Sequence, residues 1–301
     1  MGLLGTADIA GETARMCEFI VAALGPERRA CVATSGGLDS DVVARLVARA
    51  GGSVRLKLVT ALQDDMDPAH LENARDLARG LGVPLVEVDL RGFPADFVRR
   101  LSEADSSERF RPDGLIDPAR AKCSLRTPVL STYQDRGYLI VGTSNRTEID
   151  TGFFLPFGDA LCHIAPIAHL YKSEVRLVGR HIGTSTTVLA QPPSAGFWVG
   201  QTDIEDLSFW LINGGPIGRE REFTEQEAEE VRSMSSCLTL EAIDRVLYGI
   251  RTGVGDAELT REAALPPELV AKFRTLIARA AQLKRPASAT ALSRAERGAL
   301  A

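Results

Sequence analysis

Along the first two-thirds of the chain, short apolar runs with strand spacing alternate with stretches whose apolar positions recur at helical spacing. Arg29 to Thr34 (RACVAT) reads as a short buried strand, and a helix is predicted from Asp39 to about Ala50. Ser53 to Leu62 reads as a second strand, with Val54, Leu56 and Leu58 alternating onto one face. A helix over His70 to Arg79 leads into a third strand at Leu85 to Leu90. Gly137 to Gly142 is a continuous apolar run, as a central parallel strand buried on both faces should be. Strands joined through helices predict right-handed crossovers, hence an α/β fold built on a doubly wound parallel sheet. Phe93 to Arg126, rich in Ser, Asp and Arg, reads as a mobile cover. After Asp206 the pattern turns helical, over Thr224 to Met234, Thr239 to Tyr248 and Pro267 to Ala281, with Asn213-Gly214-Gly215-Pro216 as a loop signal. The predicted division is an α/β domain over 1–207 and a helical C-terminal extension over 208–301, packed on that domain and frayed at its end.

Composition narrows the class. With 45% hydrophobic and 25% charged residues among 301, the chain can bury a core. A net charge of −5 and scattered basic residues predict no nucleic-acid face. No run approaches the ~18 apolar residues of a membrane span, and the N-terminus lacks a basic region before an apolar block. The five cysteines show no CxxC spacing, which reads as reduced thiols in a cytoplasmic protein.

In such sheets ligands bind beyond the carboxyl ends of the strands. There, between the first strand and its helix, lies Ser35-Gly36-Gly37-Leu38-Asp39-Ser40. Two glycines let main chain approach an anion, and backbone N–H groups, both serine hydroxyls and the helix N-terminus can cradle phosphate. No lysine follows the glycines, so this is not the loop that grips a γ-phosphate in GK[ST] proteins. The bland alternative is a capped, glycine-rich turn.

Further stretches are Gly142-Thr143-Ser144-Asn145-Arg146-Thr147-Glu148, Pro166 to Arg176 (PIAHLYKSEVR), Gln191 to Trp198 (QPPSAGFW) continuing to Asp203, and Lys284-Arg285-Pro286. With SGGLDS, in this order, they resemble the ammonia-dependent NAD synthetase family of the PP-loop ATP pyrophosphatases, from about residue 15 to 290. The resemblance implies the adenine nucleotide alpha hydrolase-like fold and ATP and Mg²⁺ as cofactors. Ser35, Gly36, Gly37, Asp39 and Ser40 match the pyrophosphate loop. Thr143 matches a nucleotide contact, Ser194 a second phosphate-contacting loop, and Lys172 the lysine that neutralises phosphate charge. Asp39 and Glu148 match the carboxylates on magnesium, and a homodimer is implied.

The acceptor half departs from the pattern. Arg126 aligns with a substrate arginine but lacks its usual context. Where the family has Thr-Lys-Tyr-Gly-Asp, this chain has Leu155-Pro156-Phe157-Gly158-Asp159, and Pro156 offers neither charge nor donor. His163 aligns with a substrate aspartate, and Leu283-Lys284 with a terminal His-Lys pair. Loss of polar partners penalises a dinucleotide strongly. The expected activity is therefore adenylation of a small-molecule carboxylic acid other than deamido-NAD, and smaller, then amidation by ammonia. No room remains beside this domain for a glutaminase. The alternatives are amidation of deamido-NAD itself, sulfur transfer through Cys123 or Cys162, and a non-catalytic nucleotide sensor.

Overall fold

A computed structural model describes residues 3, 8–107, 110, 121–153, 158, 160–196, 199–214 and 223–283. Four parallel strands form one sheet: β1 (Ala30–Ala33), β2 (Leu56–Leu62), β3 (Leu85–Asp89) and β4 (Leu139–Val141), in the order β3-β2-β1-β4. Ala30 faces Leu56 on one side and Leu139 on the other, so β1 is central. Its alternate residues serve two layers. Ala30 and Val32 join Leu58 and Val141 under helices α1 (Ile9–Leu24), α2 (Leu38–Gly51) and α3 (Pro68–Leu81). Cys31 joins Val59, Tyr138 and Ile140 on the opposite face. The doubly wound sheet expected from the pattern is present, and its carboxyl edge presents the loops after β1 and β4.

One expectation is corrected. Ser53–Arg55 is a 3₁₀ turn, and Val54 is 88% exposed. Gly52, at φ 79°, turns the chain, and the Arg55 guanidinium reaches back to the carbonyls of Gly25 and Arg28. That bond fixes the turn and leaves Val54 outside the alternation. The stretch from Phe93 opens with a helix that the sequence reading did not place, α4 (Phe93–Ala104). Its charges sit at i,i+4, with Arg100 on Asp96 and Arg99 on Glu103, a spacing that supports helix. Residues 111–120 lie outside the described residues.

The chain continues through α5 (Arg126–Gln134), α6 (Arg146–Thr151), α7 (Lys172–Ile182), α8 (Thr186–Ala190) and α9 (Asp203–Asn213). Helices α10 (Glu225–Cys237), α11 (Leu240–Thr252), α12 (Asp256–Ala263) and α13 (Pro267–Leu283) follow, so the helical C-terminal region is observed. Leu247, Leu259, Phe273 and Leu276 form its core, which also takes in Tyr171 and Leu211. Each fully buried side chain of this kind contributes about 1.5–3 kcal/mol. Among the described residues no helix is long and apolar enough to cross a membrane.

Candidate active site

The loop after β1 is built by its own side chains. Ser40 Oγ donates to the Gly37 carbonyl at 3.0 Å and accepts the Ser35 N–H at 3.2 Å. Ser35 Oγ accepts the Gly37 N–H at 3.3 Å. Gly36 has φ 80°, and a Cβ there would lie 1.8 Å from the His70 carbonyl oxygen. Asn73 Nδ2 donates to the Gly36 carbonyl at 3.3 Å and to Gln191 Oε1 at 2.8 Å, tying this loop to the segment that carries Ser194. Gly37 caps α2, whose first amides have no carbonyl within the helix and face outward for an anion.

Beside this cradle three predicted residues converge. Lys172 Nζ, 7% exposed, lies 2.5 Å from Asp39 Oδ2 and 3.7 Å from Glu148 Oε1. Asp39 Oδ1 accepts from Asn145 Nδ2 at 3.1 Å. Asn145 and Glu148 form a reciprocal capping box that starts α6 and aims Glu148 inward. A residue given no role by the sequence completes the group: Asp203 Oδ2 stands 3.8 Å from Lys172 Nζ. Its amide donates to the Pro193 carbonyl at 2.8 Å, and Thr202 caps the helix it opens. The Thr-x-x-Glu of residues 202–205 signals that cap, but nothing in it signals the lysine.

Burial favours loss of the Lys172 proton, but Asp39, Asp203 and Glu148 outweigh it and hold the ammonium well above its ordinary value. Burial pushes Glu148 up, Asp39 adds repulsion, and Lys172 offsets part of it. Burial likewise raises Asp203, with Lys172 opposing. Asp39 and Glu148, both within 4 Å of Lys172 Nζ, are hard oxygen donors of the kind that would suit magnesium.

Thr143 and Arg126 are brought to one cavity of about 120 Å³, which Thr34, Thr60, Gln63 and Gly196 also line. Arg126 Nη2 donates to Gln63 Oε1 at 2.8 Å, and Gln63 Nε2 to the Lys122 carbonyl at 2.7 Å. The Thr60 hydroxyl is buried and has no hydrogen-bond partner among the described residues. His163 is exposed, and one of its ring nitrogens, Nδ1, accepts the Ile140 N–H of β4 at 2.9 Å. Ser194 Oγ accepts the Gly196 N–H at 3.0 Å, and Gly196 packs on the His70 ring. Pro156, Asp159 and Lys284 lie outside the described residues. Burial raises the Cys162 thiol, which opposes the thiolate a sulfur donor needs.

One nearby carboxyl yields a stability prediction. Burial pushes Asp206 up to about 6, and the Gln201 amide at 2.8 Å offsets only part of this. Unfolded, such a group titrates near ~3.9. Its stabilising contribution is therefore present below about pH 4 and lost as pH rises through about 6. Two units correspond to about 2–3 kcal/mol. Asp206→Asn should raise Tm by a few degrees at pH 8, and by about half as much at pH 5, in thermal melts.

The NAD synthase family model matches residues 14–212. That is more than half of the chain. This chain belongs to the NAD synthase family. The NH(3)-dependent NAD(+) synthetase of Methanosarcina acetivorans is 30% identical over 243 residues, which cover 80% of this chain and 90% of that protein. Its counterpart from Methanococcoides burtonii is 28% identical, over 81% of this chain and 80% of the relative. Among solved structures, an NMN synthetase from Francisella tularensis superposes with a TM-score of 0.70 at 20% identity, covering 94% of this chain and 99% of that one. The NH3-dependent NAD synthetase of Campylobacter jejuni gives 0.67 at 20% identity, covering 94% and 100%. As an NAD synthase family member the protein is a carbon–nitrogen ligase that uses ATP and Mg²⁺.

Proposed function

We propose that this ligase adenylates a carboxylic acid other than deamido-NAD, and smaller, and converts it to an amide with ammonia. The observation that carries this reading is the contrast between the two halves of the site. The nucleotide half is complete, with Lys172 between Asp39 and Glu148 beside the 35–40 loop. In the acceptor half Pro156 replaces a lysine, and His163, whose Nδ1 accepts the Ile140 N–H, replaces an aspartate. The fold is shared by an NMN synthetase and an NAD synthetase, so it does not by itself select a dinucleotide.

In this reading the amides of residues 35–40 hold the β,γ end of ATP and Thr143 meets the nucleoside side. Asp39 and Glu148 would hold Mg²⁺, which would supply neutralisation of phosphate charge. Arg126 offers the acceptor its positive charge. The acid's carboxylate oxygen attacks the α-phosphorus and pyrophosphate leaves with its electron pair. Lys172 sits where that leaving charge grows, and its raised proton affinity keeps it cationic. Ammonia then attacks the acyl carbon, expels AMP and loses a proton. Residues 1–207 form the catalytic unit of this proposal, 208–301 its helical support, and two copies the assembly.

A second reading, amidation of deamido-NAD itself, is favoured by 30% identity to an NAD synthetase across most of both chains. One experiment separates them. The enzyme is incubated with ATP, Mg²⁺, ammonia and a panel of carboxylic acids, deamido-NAD included, and acid-dependent AMP and pyrophosphate are measured. The proposal expects another acid to exceed deamido-NAD in kcat/KM by about 100-fold or more. NAD formation as the fastest turnover would decide for the second reading.

A further inference from the structure

We infer that Asp244, contributed by the C-terminal helices, is a positioning residue that fixes the first turns of the two helices carrying Glu148 and Lys172. It is fully buried, on α11, far along the chain from both residues. Each carboxylate oxygen serves a different helix. Oδ1 accepts the Thr147 hydroxyl at 2.6 Å, in the first turn of α6 and one residue before Glu148. Oδ2 accepts the Ser173 N–H at 2.7 Å, in the first turn of α7 and one residue after Lys172. Thr147 Oγ1 closes the triangle by accepting the Lys172 N–H at 2.9 Å.

A helix start leaves its first N–H groups without intrahelical acceptors, so α7 needs outside partners there. Glu174 takes the Tyr171 N–H at 2.7 Å, while Thr147 and Asp244 take the next two. The partner of Lys172's own amide is thus the hydroxyl of α6, and Asp244 orients that hydroxyl. A carboxylate between two helix N-termini is also where both dipoles favour negative charge. Without it, α6 and α7 are free to slide relative to each other, and the 3.7 Å spacing between Glu148 and Lys172 changes with them.

The inference rests on the role proposed for Lys172, so its test includes a readout that needs no acceptor. Asp244→Asn, Thr147→Val and Thr147→Ser are compared with wild type. Lysine acylation by a small reagent is followed by peptide mass spectrometry, with the buried Lys122 as internal control and melts to confirm folding. Asp244→Asn and Thr147→Val should label Lys172 about tenfold faster with Lys122 unchanged, while Thr147→Ser, which keeps the hydroxyl, labels at the wild-type rate. Turnover should fall about 10–100-fold in Asp244→Asn with KM for ATP changed much less, because a misplacement near 1 Å costs that much. Lys172 labelling at the wild-type rate in folded Asp244→Asn and Thr147→Val overturns the inference. If wild type turns over no acid at all, the proposed function falls and the labelling still decides the role of Asp244.

Discussion

Lys172→Met is expected to reduce acid-dependent pyrophosphate release by about a thousandfold, close to 4 kcal/mol of barrier. Attack on the α-phosphorus brings one anion onto another and sends a third away. Within the described residues the cation beside the 35–40 loop is this lysine, 7% exposed and held between Asp39, Glu148 and Asp203. Methionine matches its length and keeps the apolar stem packed, so the variant tests charge rather than volume. Lys172→Arg should recover little, since a planar fork does not fit a site shaped around a point charge. The measurement is kcat at saturating ATP with thermal melts alongside. A folded Lys172→Met with kcat within tenfold of wild type would remove Lys172 from the chemistry.

Gly36→Ala should lower nucleotide affinity by at least about 100-fold, read by calorimetry with ATP or an analogue. The left-handed backbone at φ 80° costs about 1–2 kcal/mol for any L-residue. The new methyl would also stand 1.8 Å from the His70 carbonyl oxygen and 2.6 Å from its carbon. Those atoms are backbone at the start of α3, so no rotamer relieves the clash and His70→Gly cannot rescue it. The loop or the helix must move, and Asn73, which bonds the Gly36 carbonyl, moves with the helix. Gly37→Ala is the control: at φ −88° its Cβ meets, among the described residues, Ser35 Oγ at 3.3 Å, and its loss should be far smaller. Equal affinities for the two variants would sink the assignment of Gly36 as the close-approach residue.

What could be read from sequence were features that local physics encodes. The strand–SGGLDS–helix order names the cradle, because glycines, hydroxyls and a helix start have few other uses together. The apolar runs around Val32, Leu58 and Ile140 name the sheet. Val54 misled because its alternation is overridden by Arg55, whose partners Gly25 and Arg28 are remote in sequence. The helix at Phe93 is encoded in i,i+4 charge spacing within a largely polar stretch. Asp203 and Asp244 were invisible as site residues for one reason: each is an ordinary acid near a helix start until tertiary packing brings Lys172 or Ser173 within reach. His163 adds a contact that alignment does not signal, the Ile140 N–H of β4 on its Nδ1.

The order in which the ribosome delivers these side chains has its own consequence. Asp39 is synthesised 133 positions before Lys172, and Asp244 a further 71 after Ser173. A nascent chain can form the glycine turn early, yet it holds the turn without the lysine, then the lysine without its buried anchor. The hydrogen-bonded group around Lys172 is therefore complete only after the helix carrying Asp244 has been made.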